Sequence, residues 1–135
     1  MEKNVVKNIL ADIDLRQNLI KLKGSMAPAD TLDGPIVEKL CDCLTHEDPK
    51  VRKNAALLLG YTKNPLMASV LLDAYKNEEK DFVKDAYLKG MSHYDCKPYI
   101  KELQEIQNEL MNSEVVDSKH IKAQLKVLNP MIRSY

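Results

Sequence analysis

Cys41, Cys43 and His46 form a C-x-C-x2-H string, a spacing that raises the question of a metal ion. On a helix, residues i and i+2 point about 200° apart, so the two sulfurs cannot face one ion without breaking the helix. Cys41 is therefore expected in the core as a small apolar residue, and Cys43 partly exposed. Cys96 has only His93 and Asp95 as polar neighbours, and a nucleophilic thiol there needs a lowered pKa. His46, His93 and His120 titrate in the range used for acid–base catalysis, but no Ser, Cys or carboxylate stands at a catalytic spacing from them. All three lie near helix ends, where capping or solvent exposure is the expected role. Glu102, Glu105 and Glu109 fall on one stripe beside Lys101, the pattern of a solvated helix face. The expectation is a chain with no catalytic residue, no metal and no cofactor.

Cations offer a second kind of chemistry. Arg52, Lys53, Lys84 and Lys89 are candidates for a basic strip that holds phosphate groups. Residues 49–101 carry ten Lys or Arg against six Asp or Glu, residues 1–48 six against nine, and residues 102–135 four against five. The whole chain is neutral, with 20 charges of each sign, which argues against a free-standing nucleic-acid binder with a strong basic field. The central surplus suffices for a few phosphates and a shallow salt dependence. Six tyrosines and Phe82 complete the inventory. Exposed, they would stack on bases; at helix ends they fill seams and keep their hydroxyls wet.

These side chains must be positioned by 135 residues, the length of one ordinary domain. With 44% hydrophobic and 30% charged residues the composition is globular. Only four glycines are present, too few for Gly-rich phosphate loops or a sheet fold built on tight turns. Three cysteines are an odd number, which disfavours a disulfide framework and favours a reducing cytoplasm. The longest apolar run, Ala55–Leu59, is far short of a membrane span, and residues 1–8 lack a signal-peptide core.

Apolar residues recur at three- and four-residue steps, so the chain reads as all-α. Val5, Val6, Ile9, Leu10 and Ile13 mark a first helix, and Leu15, Leu19 and Leu22 a second behind Asp14 as its cap. Residues 24–30 read as a loop. Gly34-Pro35 opens a helix with Ile36, Val37, Leu40, Cys41 and Leu44 inward. Asp48 caps the next, with Pro49 in its first turn and Gly60 as its stop. Leu66, Met67, Val70, Leu71 and Ala74 form the face of the following helix; Phe82, Val83, Ala86, Tyr87 and Met91 that of another. After a break at residues 95–98, Tyr99 to Leu110 carry a long amphipathic helix. Ser118 to Leu128 give the last, ending before Asn129-Pro130. The total is about eight helices.

The helices pair, and two pairs resemble each other. Val51-Arg52 and Val83-Lys84 are 32 residues apart, each preceded by an acidic break and an apolar helix. Such a period with two helices per unit means stacking, because one pair cannot bury its apolar faces alone. Residues 48–60, Asp-Pro-Lys-Val-Arg-Lys-Asn-Ala-Ala-Leu-Leu-Leu-Gly, resemble the D-P-x-V-R-x-x-A-A-x-x-L-G core of a HEAT repeat. Asp48, Pro49, Val51, Arg52, Ala55 and Gly60 occupy the signature positions. The second unit, with Val83, lacks the proline and replaces Arg by Lys84. The resemblance implies a right-handed stack of antiparallel helical hairpins, an α-solenoid, over one domain 1–135. The clearest repeats are 34–62 and 64–93, and the terminal hairpins 2–24 and 96–130. It also implies that Arg52 lies along the stack and pairs with an acidic residue of its turn, Asp48 or a neighbour.

A longer-range resemblance runs through Arg16-Gln17-Asn18-Leu19-Ile20, the 48–60 unit, residues 74–78 and Phe82-Val83-Lys84. It is similar to the N-terminal helical module of some bacterial RNA methylases, in which a catalytic domain follows. A methyltransferase needs a strand and a Gly-rich turn for its cofactor, and this chain has neither. The function expected is therefore a non-catalytic binding or scaffold module in the cytoplasm. Its partner would be a protein or a covalently linked catalytic domain, and no membrane is involved. The alternative is an RNA-binding appendage of a larger SAM-dependent RNA methyltransferase.

Overall fold

The computed structural model describes residues 16–25, 32 and 34–135. Among them are seven α-helices and no strand: α1 Arg16–Ser25, α2 Gly34–Cys43, α3 Pro49–Leu59, α4 Leu66–Asn77, α5 Asp81–Met91, α6 Ile100–Met111 and α7 Lys119–Arg133. A 3-10 turn, Lys97–Tyr99, leads into α6. The helix expected around Val5–Ile13 and the cap at Asp14 lie outside the described residues.

The helices form two rows. Along one row α1 packs on α3, α3 on α5 and α5 on α7; each even helix packs on an odd neighbour, α2 on α3, α4 on α5 and α6 on α7. This is a helical solenoid, in which hydrocarbon from one hairpin walls the next. Val51 is 1% exposed and Val83 0%, and both sit in one core with Leu40, Leu58, Leu71 and Leu88. Each such burial contributes roughly 1.5–3 kcal/mol.

Small residues set the tightest contact, between α3 and α5. A Cβ added at Gly90 would lie 2.7 Å from the carbonyl oxygen of Ala56, and one at Gly60 3.2 Å from the Cα of Gly90. Gly60 follows α3, but its φ of −67° is right-handed. It is required for close approach rather than for a left-handed stop.

Several local expectations are corrected. Gly24 and Ser25 belong to α1 rather than to a loop, with the Ser25 hydroxyl bonded to the Lys21 carbonyl at 2.8 Å. Helix α7 runs through Pro130 to Arg133. Fully buried Leu128 and nearly buried Met131 hold its last turn against the core, while Pro130 faces outward. On α2 the core takes Cys43 at 3% exposure, and Cys41 is only half-buried, the reverse of the expected order. The buried set Ile36, Leu40, Cys43 and Leu44 keeps helical spacing and turns Cys41 aside, its thiol 3.9 Å from the Met67 sulfur. On α4 the buried face is Met67, Ala68, Leu71, Leu72 and Tyr75, leaving Leu66 exposed.

Candidate ligand-binding face

The four cations read from the sequence separate in space. Arg52 leaves the first turn of α3, which Asp48 caps by accepting the Lys50 N–H at 2.9 Å. Its Nε and Nη2 donate to the two oxygens of Glu78 at 2.8 and 2.9 Å, and Nη1 donates to the carbonyls of His46 and Glu47 at 2.8 and 3.2 Å. The expected partner, Asp48 or a neighbour, is thus replaced by a residue of the next repeat. The Asp48 carboxylate instead caps α3 through the Lys50 N–H. Glu78 also accepts the N–H groups of Glu79 and Lys80 and the Tyr87 hydroxyl, at 3.0, 3.1 and 3.1 Å. Burial alone would raise the Glu78 pKa; the hydrogen bonds from Arg52, Lys80 and Tyr87 outweigh it and hold the carboxyl below its ordinary value. This knot ties the turn before α3 to the turn before α5, and its donors and acceptors are consumed internally.

Lys84, the counterpart of Arg52 one repeat on, has its ammonium 5.5 Å from the centre of the Tyr75 ring. The Tyr75 hydroxyl donates to Gln124 at 2.7 Å, and the Gln124 amide reaches Asp81 at 3.4 Å. Gln124 is 0% exposed, and this buried chain joins α4, α5 and α7. Of the six tyrosine hydroxyls expected to be wet, those of Tyr75, Tyr87 and Tyr94 are bonded within the protein: the first to Gln124, the second to Glu78, the third to Thr62 and the Leu59 carbonyl.

Lys53 and Lys89 take no part in that knot, and the charge of each acts on a third cation, Lys23, that sequence reading did not single out. Burial first, and the charges of Lys53 and Lys89 next, push the Lys23 pKa down. Lys53 lines a groove of about 330 Å³ with Arg16, Ile20, Lys23, Lys50 and Asn54. Lys89 is paired with Asp85 at 2.9 Å, one turn earlier on α5. Among the described residues no carboxylate pairs with Lys23, Lys50 or Lys53. The nearest sequence signal is the Lys21-x-Lys23 spacing, but only stacking brings α1 beside α3.

The other reactive side chains are accounted for. Cys96 is buried, its thiol donates to the Met91 carbonyl at 3.3 Å, and burial followed by the Asp95 charge pushes its pKa up to about 11. His46 Nδ1 accepts the Asp48 N–H at 3.0 Å, and His93 stacks on Tyr61 at 5.6 Å between ring centres. Among the described residues no three His, Cys, Asp or Glu side chains gather as a metal cage. No described helix is long and apolar enough to cross a membrane.

Paired helices stacked in two rows, with the ion pair Arg52–Glu78 crossing from one hairpin to the next, define a helical-repeat protein. The chain belongs to the HEAT-repeat family: the family model for HEAT repeats matches residues 4–92. That span covers α1 to α5, whereas α6 and α7 lie beyond it and join the stack through α5. No curated protein and no solved structure matches the chain. HEAT repeats generally serve interaction and scaffolding rather than catalysis, through the extended surface that stacked hairpins present.

Proposed function

We propose that this chain is a non-catalytic binding module that holds a macromolecular partner across the exposed side of its odd-numbered helices. The observation that carries the reading is the partition of charge between the two rows. Helices α1, α3 and α7 contain three, three and four Lys or Arg and no Asp or Glu; α5 contains two of each sign. The even helices carry one Lys each, against two acidic residues on α2, one on α4 and three on α6. Although the formal charge of the chain is zero, the odd row is thus the basic one among the described helices, and a one-signed surface attracts and orients a partner of opposite sign.

A partner screen tests this against two pairs of charge reversals. Lys53→Glu with Lys89→Glu alters the odd row, and Lys39→Glu with Lys101→Glu alters the even row. Capture lost only with the odd pair is expected. Capture lost only with the even pair, or with neither, overturns the reading.

A second reading, the RNA-holding appendage of a SAM-dependent RNA methyltransferase, draws on the Lys23, Lys53 and Lys89 cluster, whose charge suits phosphates. The described residues hold no strand to open a cofactor-binding turn, so methyl transfer would reside in another domain. A reading frame that continues past Tyr135 into a strand and Gly-rich turn would support this arrangement; a stop codon there would favour a stand-alone adaptor.

A further inference from the structure

We propose that the odd-helix face binds the sugar–phosphate backbone of a nucleic acid, with Lys23, Lys53 and Lys89 as its central phosphate contacts. The inference rests on the odd-face reading above and adds the chemistry of the ligand. The three lysines come from α1, α3 and α5, consecutive members of one packed row. These helices pack directly on one another, so the row is a rigid ladder of cations. A nucleic-acid strand presents a charge every few Å along such a ladder. Lysine is a compact point charge that meets a phosphate oxygen without a fixed geometry, so a row of lysines can hold a backbone without reading bases. The one arginine at the centre of the stack, Arg52, is already closed on Glu78.

The same face is poorly suited to a protein. Interface cores are depleted in lysine and organised around aromatic or arginine anchors in fitted pockets. Among the described residues, Ile20 and Phe82 are the only exposed large apolar side chains on the odd helices. In the free protein the cluster is self-repelling, and Lys23 has no carboxylate partner among the described residues. A bound polyanion relieves that repulsion. Asp85 opposes it: one oxygen holds Lys89 at 2.9 Å, and the other is buried without a hydrogen-bond partner. Lys122 and Lys126 of α7 extend the same sign along the row.

Contacts of this kind read phosphates and not bases, so binding is insensitive to sequence and sensitive to salt. Fluorescence anisotropy with a labelled single-stranded RNA, a DNA duplex and a poly-glutamate peptide tests it between about 50 and 200 mM salt. Expected is a nucleic-acid Kd of roughly 1–100 μM at physiological salt, in the non-specific range. Each Lys→Gln at 23, 53 or 89 should lower the log–log salt slope by about 1 on the duplex. The Lys53→Glu, Lys89→Glu pair should weaken binding about tenfold or more, since each reversal adds repulsion to a lost contact. Asp85→Asn should tighten binding, a gain that misfolding cannot mimic. Preference for RNA or for the duplex identifies the source of the backbone, and either supports the inference. Poly-glutamate bound as tightly, with the same response to the variants, ends the nucleic-acid inference while leaving the odd-face reading intact. Nucleic acid bound without response to the odd-row variants but released by Lys39→Glu with Lys101→Glu overturns both.

Discussion

Glu78 sits in the turn after α4, yet its carboxylate is gripped by Arg52 from the first turn of α3, 26 residues earlier. The Glu78 side chain is 3% exposed and that of Arg52 17%. Breaking such a pair from one side leaves an uncompensated buried charge. Glu78→Gln should therefore lower stability by about 3 kcal/mol in urea unfolding. Arg52→Met combined with Glu78→Leu should lose less than the two single changes added together, because apolar replacement of both partners leaves neither charge stranded.

The same carboxylate sets an acid limb. Its folded pKa lies below the ordinary value of 4.5. The stabilisation is therefore complete above about pH 4.5 and is lost as the pH falls through the lower folded value. The urea midpoint of the native protein should fall more steeply in that window than that of Glu78→Gln. Parallel curves would show that other groups control acid unfolding.

How far the chain discloses its structure depends on the range of the interaction. The Asp48 cap and the Pro49 start are legible because cap and helix are two residues apart. The inward turns of Val51 and Val83 follow from the repeat spacing. The partner of Arg52 is not legible, since Glu78 arrives by stacking and several acidic residues lie nearer in sequence. Gln124 is hidden for another reason. A polar residue between Lys122 and Lys126 reads as surface, and only its bonds to Tyr75 and Asp81 make burial favourable. Lys23 escapes notice because its two cationic neighbours belong to other repeats.

The bond between Tyr75 and Gln124 should be visible as coupling. Gln124→Leu strands the Tyr75 hydroxyl in the core, and Tyr75→Phe strands the Gln124 Oε1 acceptor; each should cost about 1–3 kcal/mol. The double variant should cost less than the sum. Strict additivity would mean that the two groups do not depend on each other.

Glycine substitutions separate two kinds of crowding. Alanine ordinarily stabilises a helix by about 0.5–1 kcal/mol over glycine. At Gly90 the new methyl meets the Ala56 backbone oxygen at 2.7 Å, and neither helix can yield without opening the stack. Gly90→Ala should therefore destabilise by about 1–3 kcal/mol. At Gly60 the closest atom is Cδ2 of the exposed His93 ring at 2.6 Å, which can swing aside, and the Gly90 backbone stands farther off at 3.2 Å. Gly60→Ala should be the milder of the two in thermal unfolding.

Solution NMR of the labelled protein, titrated with a short oligonucleotide, tests the odd-helix face most directly. The expected result is amide shifts concentrated on α1, α3 and α5 around Lys23, Lys53 and Lys89, fading as salt is added. Shifts gathered instead on α2, α4 and α6, around Glu38, Asp73 and Glu105, would contradict the assignment of the ligand to the basic row.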